Sequence, residues 1–323
     1  MKKTQYRLLL NCIVMKKILF LMLLCIVVLF LSLDLCRLQK NGTVRGNSLS
    51  IVTTTSMLAD AVKNITGDCA EVHCLMGPGI DPHLYRARES DVHALASADL
   101  VIYNGLHLEG KMGQVLEGMN RFTHVVNASN ALDKNQLRRA DFDELYDPHI
   151  WFDVTLWIDI VRFIQKTLIN CDRENELLYQ KNGDDYVTQL ELLHEYITNR
   201  IAEVDPSKRI LITAHDAFGY FGQCYGFEVV GLQGLSTDCD ISTQDIIALA
   251  NYIVAKRIPT IFVEASIPQR SLRAVQHAVS AQGWSVDLGD ELYSDSLGDQ
   301  ASAAVTYIDM VKYNINTIID SLR

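Results

Sequence analysis

Short apolar strand patterns alternate with amphipathic helical patterns along this chain, and this alternation restricts its fold more than any other feature. It occurs in two separate blocks, over residues 49–172 and residues 205–323. Repeated strand–helix–strand order is typical of mostly parallel sheets covered by helices. We therefore predict an α/β protein with two (β/α) sandwich lobes.

A long helical pattern over residues 173–204 lies between the two blocks. At 1.5 Å per residue this helix would span about 45 Å, which is more than one small domain needs. Gly183 weakens the pattern locally, and Asp205-Pro206 ends it. We expect one long rigid helix that joins the two lobes, with a cleft between them. Its apolar residues recur at steps of three and four: Tyr186, Leu190, Leu193, Ile197 and Ile201.

Residues 1–40 have the pattern of an export segment. Lys16 and Lys17 precede an uncharged apolar run over residues 18–33, as in a secretory signal. The run is also long enough to span a bilayer, so a cleaved signal peptide and a retained N-terminal membrane anchor both stay open. We expect a periplasmic protein, either released or membrane-anchored.

The start and the processing of this segment have further alternatives. Met15 is a second possible start, because it directly precedes the two lysines. Cys25 and Cys36 suggest a lipoprotein, but the bulky Leu24 and Leu35 precede them where a small residue is expected.

The charge distribution argues against nucleic acid as a partner. The net charge is −10 at pH 7, yet the first 40 residues hold seven Lys or Arg and only one acid. The rest of the chain therefore holds 22 basic and 38 acidic residues, a net charge of −16. Such a body is repelled by phosphate backbones and suits a protein that meets cations.

Four polar residues fall where a parallel sheet would place a ligand site: His83, His149, His215 and Asp295. Each lies in a loop or directly after a predicted strand, and such sheets bind ligands at the carboxyl ends of their strands. The first two each end the tripeptide Asp-Pro-His, and its proline stiffens the loop that presents the imidazole. Three imidazoles and one carboxylate are a common ligand set for a divalent transition metal.

The other histidines show why spacing alone leaves the ligand set open. His107 also follows a predicted strand and is a serious rival ligand. The remaining five lie within predicted helices or strands: His73, His93, His124, His194 and His277.

Two other classes of function stay open at this point. The same His and Asp residues could form a metal-dependent hydrolase with a bound water, or a surface adhesin could hold a structural metal. The chain lacks H-E-x-x-H, a glycine-rich phosphate loop and a G-x-S-x-G elbow, and no Glu stands beside a candidate histidine. These absences disfavour an enzyme.

Several stretches, in the right order, resemble one known family: the cluster A-I solute-binding proteins of metal-ion ABC importers. The resemblance runs from about residue 49 to the end of the chain. The most specific stretches are Met-Gly-Pro-Gly-Ile-Asp-Pro-His-Leu-Tyr at 76–85, Asp-Pro-His-Ile-Trp-Phe-Asp at 147–153, Thr-Ala-His-Asp-Ala-Phe-Gly-Tyr at 213–220 and Glu-Leu-Tyr-Ser-Asp-Ser-Leu-Gly at 291–298.

The resemblance implies a non-enzymatic, monomeric receptor that captures one metal ion and delivers it to the permease of an ABC importer. It implies that the metal is buried between the lobes and held by His83, His149, His215 and Asp295. Glu264 is implied either as a residue that supports a ligand or as ordinary lining of the cleft.

The resemblance leaves the metal open among zinc, manganese and iron. Manganese-type members often carry glutamate at the third position, where this chain has His215. Zinc-dedicated members often carry a long histidine-rich loop, and the corresponding residues 127–146 contain no histidine.

Overall fold

The computed structural model describes residues 48–120, 122–139 and 145–323. The residues from Leu49 to Arg323 form one compact unit. The predicted export segment, residues 1–40, lies outside the described residues. Within the described residues, no helix has both the length and the apolar character that crossing a membrane requires.

The first half of the chain forms a four-stranded parallel sheet in the order β2-β1-β3-β4. The apolar pattern predicts strands at residues 50–54, 70–76, 99–103 and 124–127, and all four lie there within one residue. β3 is apolar and buried along its whole length, as expected for a strand covered on both faces. The strands are β1 (Leu49–Thr55), β2 (Ala70–Met76), β3 (Leu100–Tyr103) and β4 (His124–Asn127).

Short helices connect these strands, and a longer one follows them. Thr55 ends β1 and caps α1, because its hydroxyl accepts a hydrogen bond from the Leu58 amide. The helices are α1 (Ser56–Thr66), α2 (Glu89–Ser97), α3 (Gly113–Met119) and α4 (Val154–Cys171).

The long helix α5 spans Glu176–Ile201, which is 26 residues and about 39 Å. It is shorter than the predicted span of residues 173–204, because Arg173–Asn175 form a separate 3-10 turn and the helix unwinds after Ile201. Gly183 does not break it. A Cβ at this position would lie 2.4 Å from Nε2 of Gln165 on α4, so glycine lets the two helices pack closely.

The second half contains two parallel strand pairs, β5–β6 and β7–β8, and β5 and β7 lie side by side. The strands are β5 (Ile210–His215), β6 (Glu228–Gln233), β7 (Thr260–Glu264) and β8 (Asp287–Leu292). The helices are α6 (Gly219–Tyr225), α7 (Thr243–Lys256), α8 (Arg270–Ala281) and α9 (Tyr307–Leu322).

Two elements of this half differ from the prediction. β8 was expected at residues 284–288, but it runs over Asp287–Leu292 as a strand that pairs only with β7. It is mostly exposed or half-buried, so it lacks the apolar run that identifies a buried strand. The last helix was expected from residue 301, but Thr306 caps it through the Asp309 amide, and it begins at Tyr307.

The closing helix α9 connects the two halves. It packs against α5, and Tyr307 at its start stacks on Trp157 of α4 with ring centroids 5.2 Å apart. The Tyr307 hydroxyl also donates to the carbonyl oxygen of Trp151. The expected α/β protein with parallel sheets and one long helix is thus confirmed, and its largest apolar core runs through α4, α5 and α9.

Replacing Gly183 by alanine should destabilise the protein, although alanine normally favours a helix by about 1 kcal/mol. The new methyl group would push into the Gln165 amide, and such overpacking costs about 1–3 kcal/mol. Urea unfolding measures the change.

Gly118→Ala is the matched control, because Gly118 is exposed on α3 and a Cβ there would meet no atom within 4 Å. It should leave stability unchanged or raise it slightly. Equal effects of the two substitutions would contradict the close approach of α4 and α5.

Candidate metal centre

The four predicted ligands lie together although they are far apart in the sequence. His83, His149, His215 and Asp295 each present one donor atom, and these atoms lie within 4.8 Å of one another. All four side chains are buried, and His83 is the most exposed of them at 7%. Two come from each half of the chain, so both halves are needed to build the site.

His83 lies in the loop after β2, where a carboxylate shapes the turn. The His83 amide donates to Oδ1 of Asp81 at 2.9 Å. Oδ2 of Asp81 accepts a hydrogen bond from the Thr237 hydroxyl at 2.6 Å. Because Thr237 belongs to the second half, this hydrogen bond joins the His83 loop of the first half to the second half.

His149 lies in a loop before α4, and Asp147 fixes its ring. Oδ1 of Asp147 lies 2.9 Å from the His149 amide and 2.8 Å from its Nδ1. A carboxylate can only accept there, so the neutral ring carries its proton on Nδ1. The lone pair of Nε2 then faces the centre of the site, as metal binding requires.

His215 is the last residue of β5, and Glu264 ends the neighbouring β7. The His215 amide donates to Oε1 of Glu264 at 2.9 Å, and Nδ1 of His215 lies 2.7 Å from Oε2. Glu264 therefore contacts a predicted ligand directly and is more than ordinary lining of a cleft. This ion-pair contact places the carboxylate beside the His215 ring, without the hydrogen-bond geometry that Asp147 has with His149.

Asp295 lies in the loop after β8, and residues of the first half hold this loop. The Trp151 indole donates to the carbonyl oxygen of Ser294 at 3.0 Å. The Leu297 amide donates to the Ser56 hydroxyl at 2.8 Å. The carboxylate is thus placed by contacts on both sides of it in the sequence.

The spacing of the donor atoms fits one transition-metal ion. Nε2 of His83 lies 3.3 Å from Nε2 of His149, which lies 3.5 Å from Oδ1 of Asp295. Oδ2 of Asp295 lies 3.4 Å from Nε2 of His215. A tetrahedral ion with bonds of about 2.0–2.1 Å needs ligand separations of about 3.3–3.4 Å.

Buried polar atoms without partners also face this centre. Both carboxylate oxygens of Asp295 and Nε2 of His215 have no hydrogen-bond partner among the described residues. Burying such atoms unpaired is costly, and a bound cation would satisfy all three. The donor set and its spacing therefore both fit a metal.

The electrostatics differ among the ligands. Burial lowers the pKa of His83 to about 3, so this ring is neutral and ready to coordinate. Burial also lowers the pKa of His215, but the adjacent charges of Glu264 and Asp295 outweigh burial and hold it well above its usual range. Burial would raise the pKa of Asp295, but the surrounding imidazoles, His215 first, hold it below its ordinary value.

His107, the rival ligand, does not join the cluster. It is exposed in a tight turn with a φ of 65°, and it shares with His83 the lining of a cavity of about 630 Å³. This cavity borders the most exposed ligand, so it offers an approach from solvent. The remaining five histidines also lie outside the cluster that the described residues form.

Of the residues that contact the predicted ligands and their loops, the sequence indicated Glu264 but not Asp81, Asp147 or Arg138. Asp81 and Asp147 stand two positions before His83 and His149, so the repeated Asp-Pro-His motif did contain a signal for them. Arg138 contacts Asp147 from a loop without any recognisable motif. No local pattern would have identified it.

Comparison with known proteins gives a consistent result over most of the chain. Residues 51–321 match the family model described as "ZnuA: Zinc-uptake complex component A periplasmic". The chain is 40% identical to the manganese-binding lipoprotein MntA of Bacillus subtilis (strain 168), over 89% of this chain and 94% of that protein. It is 42% identical to the zinc-binding protein TroA of Treponema pallidum (strain Nichols), over 88% and 92%.

The fold is similar to that of a solved relative as well. The periplasmic zinc-binding protein TroA from Treponema pallidum superposes with a TM-score of 0.83 at 42% identity. The match covers 85% of this chain and 99% of that chain.

Metal binding should release about one proton per ion near neutral pH. The raised pKa of His215 means that this ring carries a proton in the metal-free protein, and the metal must displace it. Affinity should therefore begin to fall at a higher pH than the value of about 6.5 expected for an ordinary imidazole. Calorimetry in buffers of different ionisation enthalpy counts the protons.

Glu264→Gln removes one of the charges that raise the pKa of His215, so fewer protons should be released by this variant. For the unmodified protein between about pH 6 and 8, a binding heat that is the same in every buffer would contradict the displacement of a proton by the metal.

Proposed function

The chain belongs to the ZnuA family of periplasmic zinc-uptake components, and we propose from this membership that it captures a transition-metal ion and delivers it to an ABC importer. It acts outside the cytoplasmic membrane, where the ion is cargo and not a catalytic cofactor. One observation carries the proposal: four buried donor atoms from both halves of the chain converge within 4.8 Å.

We propose that the ligands of the cargo ion are His83, His149, His215 and Asp295. Their burial, their atoms without a hydrogen-bond partner among the described residues, and three donor separations of 3.3–3.5 Å support this set. Asp147 and Glu264 support it further, because each carboxylate lies against Nδ1 of one imidazole and leaves Nε2 for the ion.

The cargo is zinc or manganese, the two metals for which the relatives TroA and MntA are named. Iron has no counterpart among these names. Both oxygens of Asp295 face the site without a partner, so the carboxylate could bind through one or two oxygens and serve ions of different coordination number. Metal analysis of protein from its native compartment, combined with uptake assays, identifies the physiological ion.

The hydrolase gains no support from the site. A hydrolytic metal centre needs an open position for water and a free general base nearby. Asp147 and Glu264 each lie against Nδ1 of an imidazole, at 2.8 and 2.7 Å. Members of this family are transport components, and we propose no catalytic role and no adhesin role for this chain.

We further propose two lobes, over residues 49–172 and 205–323, that are joined by a helix within residues 173–204 and move little relative to each other. Direct hydrogen bonds between the two halves support a small motion: the Thr237 hydroxyl donates to Asp81, and the Trp151 indole donates to the Ser294 carbonyl oxygen. We expect a monomer that docks on the importer's permease and binds no nucleic acid. X-ray scattering with and without metal would show a large change if this view were wrong.

His149→Ala and Asp295→Ala should each weaken metal binding by more than about a hundredfold, beyond the range of residues that act through a ligand. His107→Ala should bind as the unmodified protein does, because His107 lies outside the cluster. Competitive titration against a chelating dye measures all three affinities. An effect of His107→Ala as large as that of His149→Ala would contradict the proposed ligands.

Bound metal should also stabilise the native state. At a free concentration of about 100 times Kd, the free energy of unfolding should rise by about 2.7 kcal/mol. Thermal or urea unfolding with zinc and with manganese measures the gain. No gain with either ion would contradict the proposed function.

Zinc should displace manganese from the purified protein, whichever ion the cell supplies. Affinities of sites with nitrogen and oxygen ligands rise from manganese to zinc in the usual order of divalent ions. Equilibrium competition between the two ions tests this, and a preference for manganese would point to a geometry that strongly disfavours four-coordinate zinc.

A further inference from the structure

One side chain outside the cluster touches both the carboxylate that supports His149 and the residue that directly follows His215. We propose that Arg138 is the positioning residue that couples the His149 loop to the loop that directly follows His215, and so determines how tightly the site holds its ion. This inference rests on the proposed function, because it takes both histidines as ligands. It concerns a residue for which the sequence shows no motif.

The backbone of Arg138 is fixed before its side chain is considered. Its amide donates to the hydroxyl of Tyr220 at 3.0 Å, and its carbonyl oxygen accepts from the Asp147 amide at 2.9 Å. The Tyr220 hydroxyl in turn donates to the Asp147 carbonyl oxygen at 3.1 Å. These bonds hold the Arg138 backbone against the His149 loop. The planar guanidinium then loses little freedom for each further hydrogen bond that it forms.

The guanidinium bridges two carboxylates from different halves of the chain. Nη1 donates to Oδ2 of Asp147 at 2.8 Å. Nη1 and Nη2 donate to Oδ2 of Asp216 at 3.2 and 3.3 Å. Asp147 is fully buried, and its other oxygen holds the His149 ring. A buried carboxylate needs such charged partners to stay in one orientation.

The second arm of the bridge ends next to another ligand. Asp216 directly follows His215, and its amide donates to the Gln233 carbonyl oxygen at 3.1 Å. A shift of His215 and the loop that follows it therefore moves Asp216, and this movement reaches Asp147 through Arg138. Side chains of His149 and His215 have ring centroids 5.2 Å apart, so small shifts alter their separation at the ion.

The fold leaves space for this guanidinium at one specific residue. A Cβ on Gly219, at the start of α6, would lie 2.1 Å from Nη1 of Arg138. Only glycine allows the guanidinium to lie against the backbone here. Both sides of the bridge, the anchored arginine and the glycine beneath it, are thus adapted to the contact.

Arg138→Gln would remove the charge and the bridge together. Asp147 would lose a partner, the His149 ring would lose part of its orientation, and the two loops would no longer be coupled. We expect Kd for zinc to rise about tenfold to a hundredfold, as is usual when a partner of a metal ligand is removed. The Kd of Arg138→Lys for zinc should lie between those of the unmodified protein and Arg138→Gln. Lysine restores the charge but cannot bridge two carboxylates with a planar guanidinium.

The test compares these variants by zinc titration, by the rate of zinc release to a chelator and by the visible spectrum of bound Co²⁺. The spectrum reports ligand geometry, so a purely structural role of Arg138 would leave it unchanged. Arg139→Gln is the matched control: Arg139 is exposed, packs over the Tyr146 ring and carries the same charge one residue away. It should keep the affinity and the Co²⁺ spectrum of the unmodified protein.

Asp216→Asn provides a second, gentler variant in case Arg138→Gln does not fold. It should release zinc faster than the unmodified protein while keeping the Asp147 contact. If Arg138 couples the loops, the double variant Arg138→Gln/Asp216→Asn should be no weaker in zinc binding than Arg138→Gln alone. If the losses of zinc affinity of the two single variants add fully in the double variant, the coupling is overturned.

Failure of this inference is distinct from failure of the proposed function. If His149→Ala abolishes zinc binding while folded Arg138→Gln keeps the affinity and the Co²⁺ spectrum of the unmodified protein, only the role of Arg138 is overturned. If His149→Ala binds zinc as the unmodified protein does, the proposed ligand set is wrong and the inference fails with it.

Discussion

Contact between a buried carboxylate and the Nδ1 atom of an imidazole is the interaction on which the site depends. Asp147 makes it with His149, and Glu264 makes it with His215. Away from water these contacts are strong, and they decide which ring nitrogen faces the centre. Without them each ring could turn or change its protonated nitrogen, and converging histidines would not be enough to bind an ion.

The parallel sheets explain how such pairs form. His215 and Glu264 end two strands that lie side by side, so the placement of these strands brings imidazole and carboxylate together. His83 and Asp295 lie in loops that follow β2 and β8, at the same kind of strand end. Ligand residues that are far apart in the sequence thus meet because several strands end at one place.

Local signals allowed much of the fold to be predicted. The sequence pattern predicts β2 at residues 70–76, β4 at 124–127, β7 at 260–264 and α7 at 243–256, and each has these bounds. α7 also carries a capping box in which Ser242 and Asp245 bond each other's backbone amides. The exposed strand β8 escaped prediction because partial burial leaves no apolar pattern. The start of α9 was placed too early because Thr306, and not the preceding alanines, caps it.

Part of the candidate site could also be predicted from the sequence, and part could not. The four proposed ligands stand in short motifs or after strands, but His107 also follows a strand, so the resemblance to a known family was needed to select them. The exclusion of His107 depends on a tertiary turn, and the contacts of Arg138 with Asp147 and Asp216 join distant parts of the chain. Such contacts leave no trace in local spacing, so only coordinates reveal them.

The position of Asp295 near the carboxyl terminus has a consequence for the order of events in the cell. A chain that is secreted amino terminus first presents His83 and His149 well before the acidic donor emerges. Asp295 also needs Ser56 and Trp151 to hold its loop, so early and late segments must meet before the centre exists. The centre can therefore hold an ion only after nearly the whole fold has assembled.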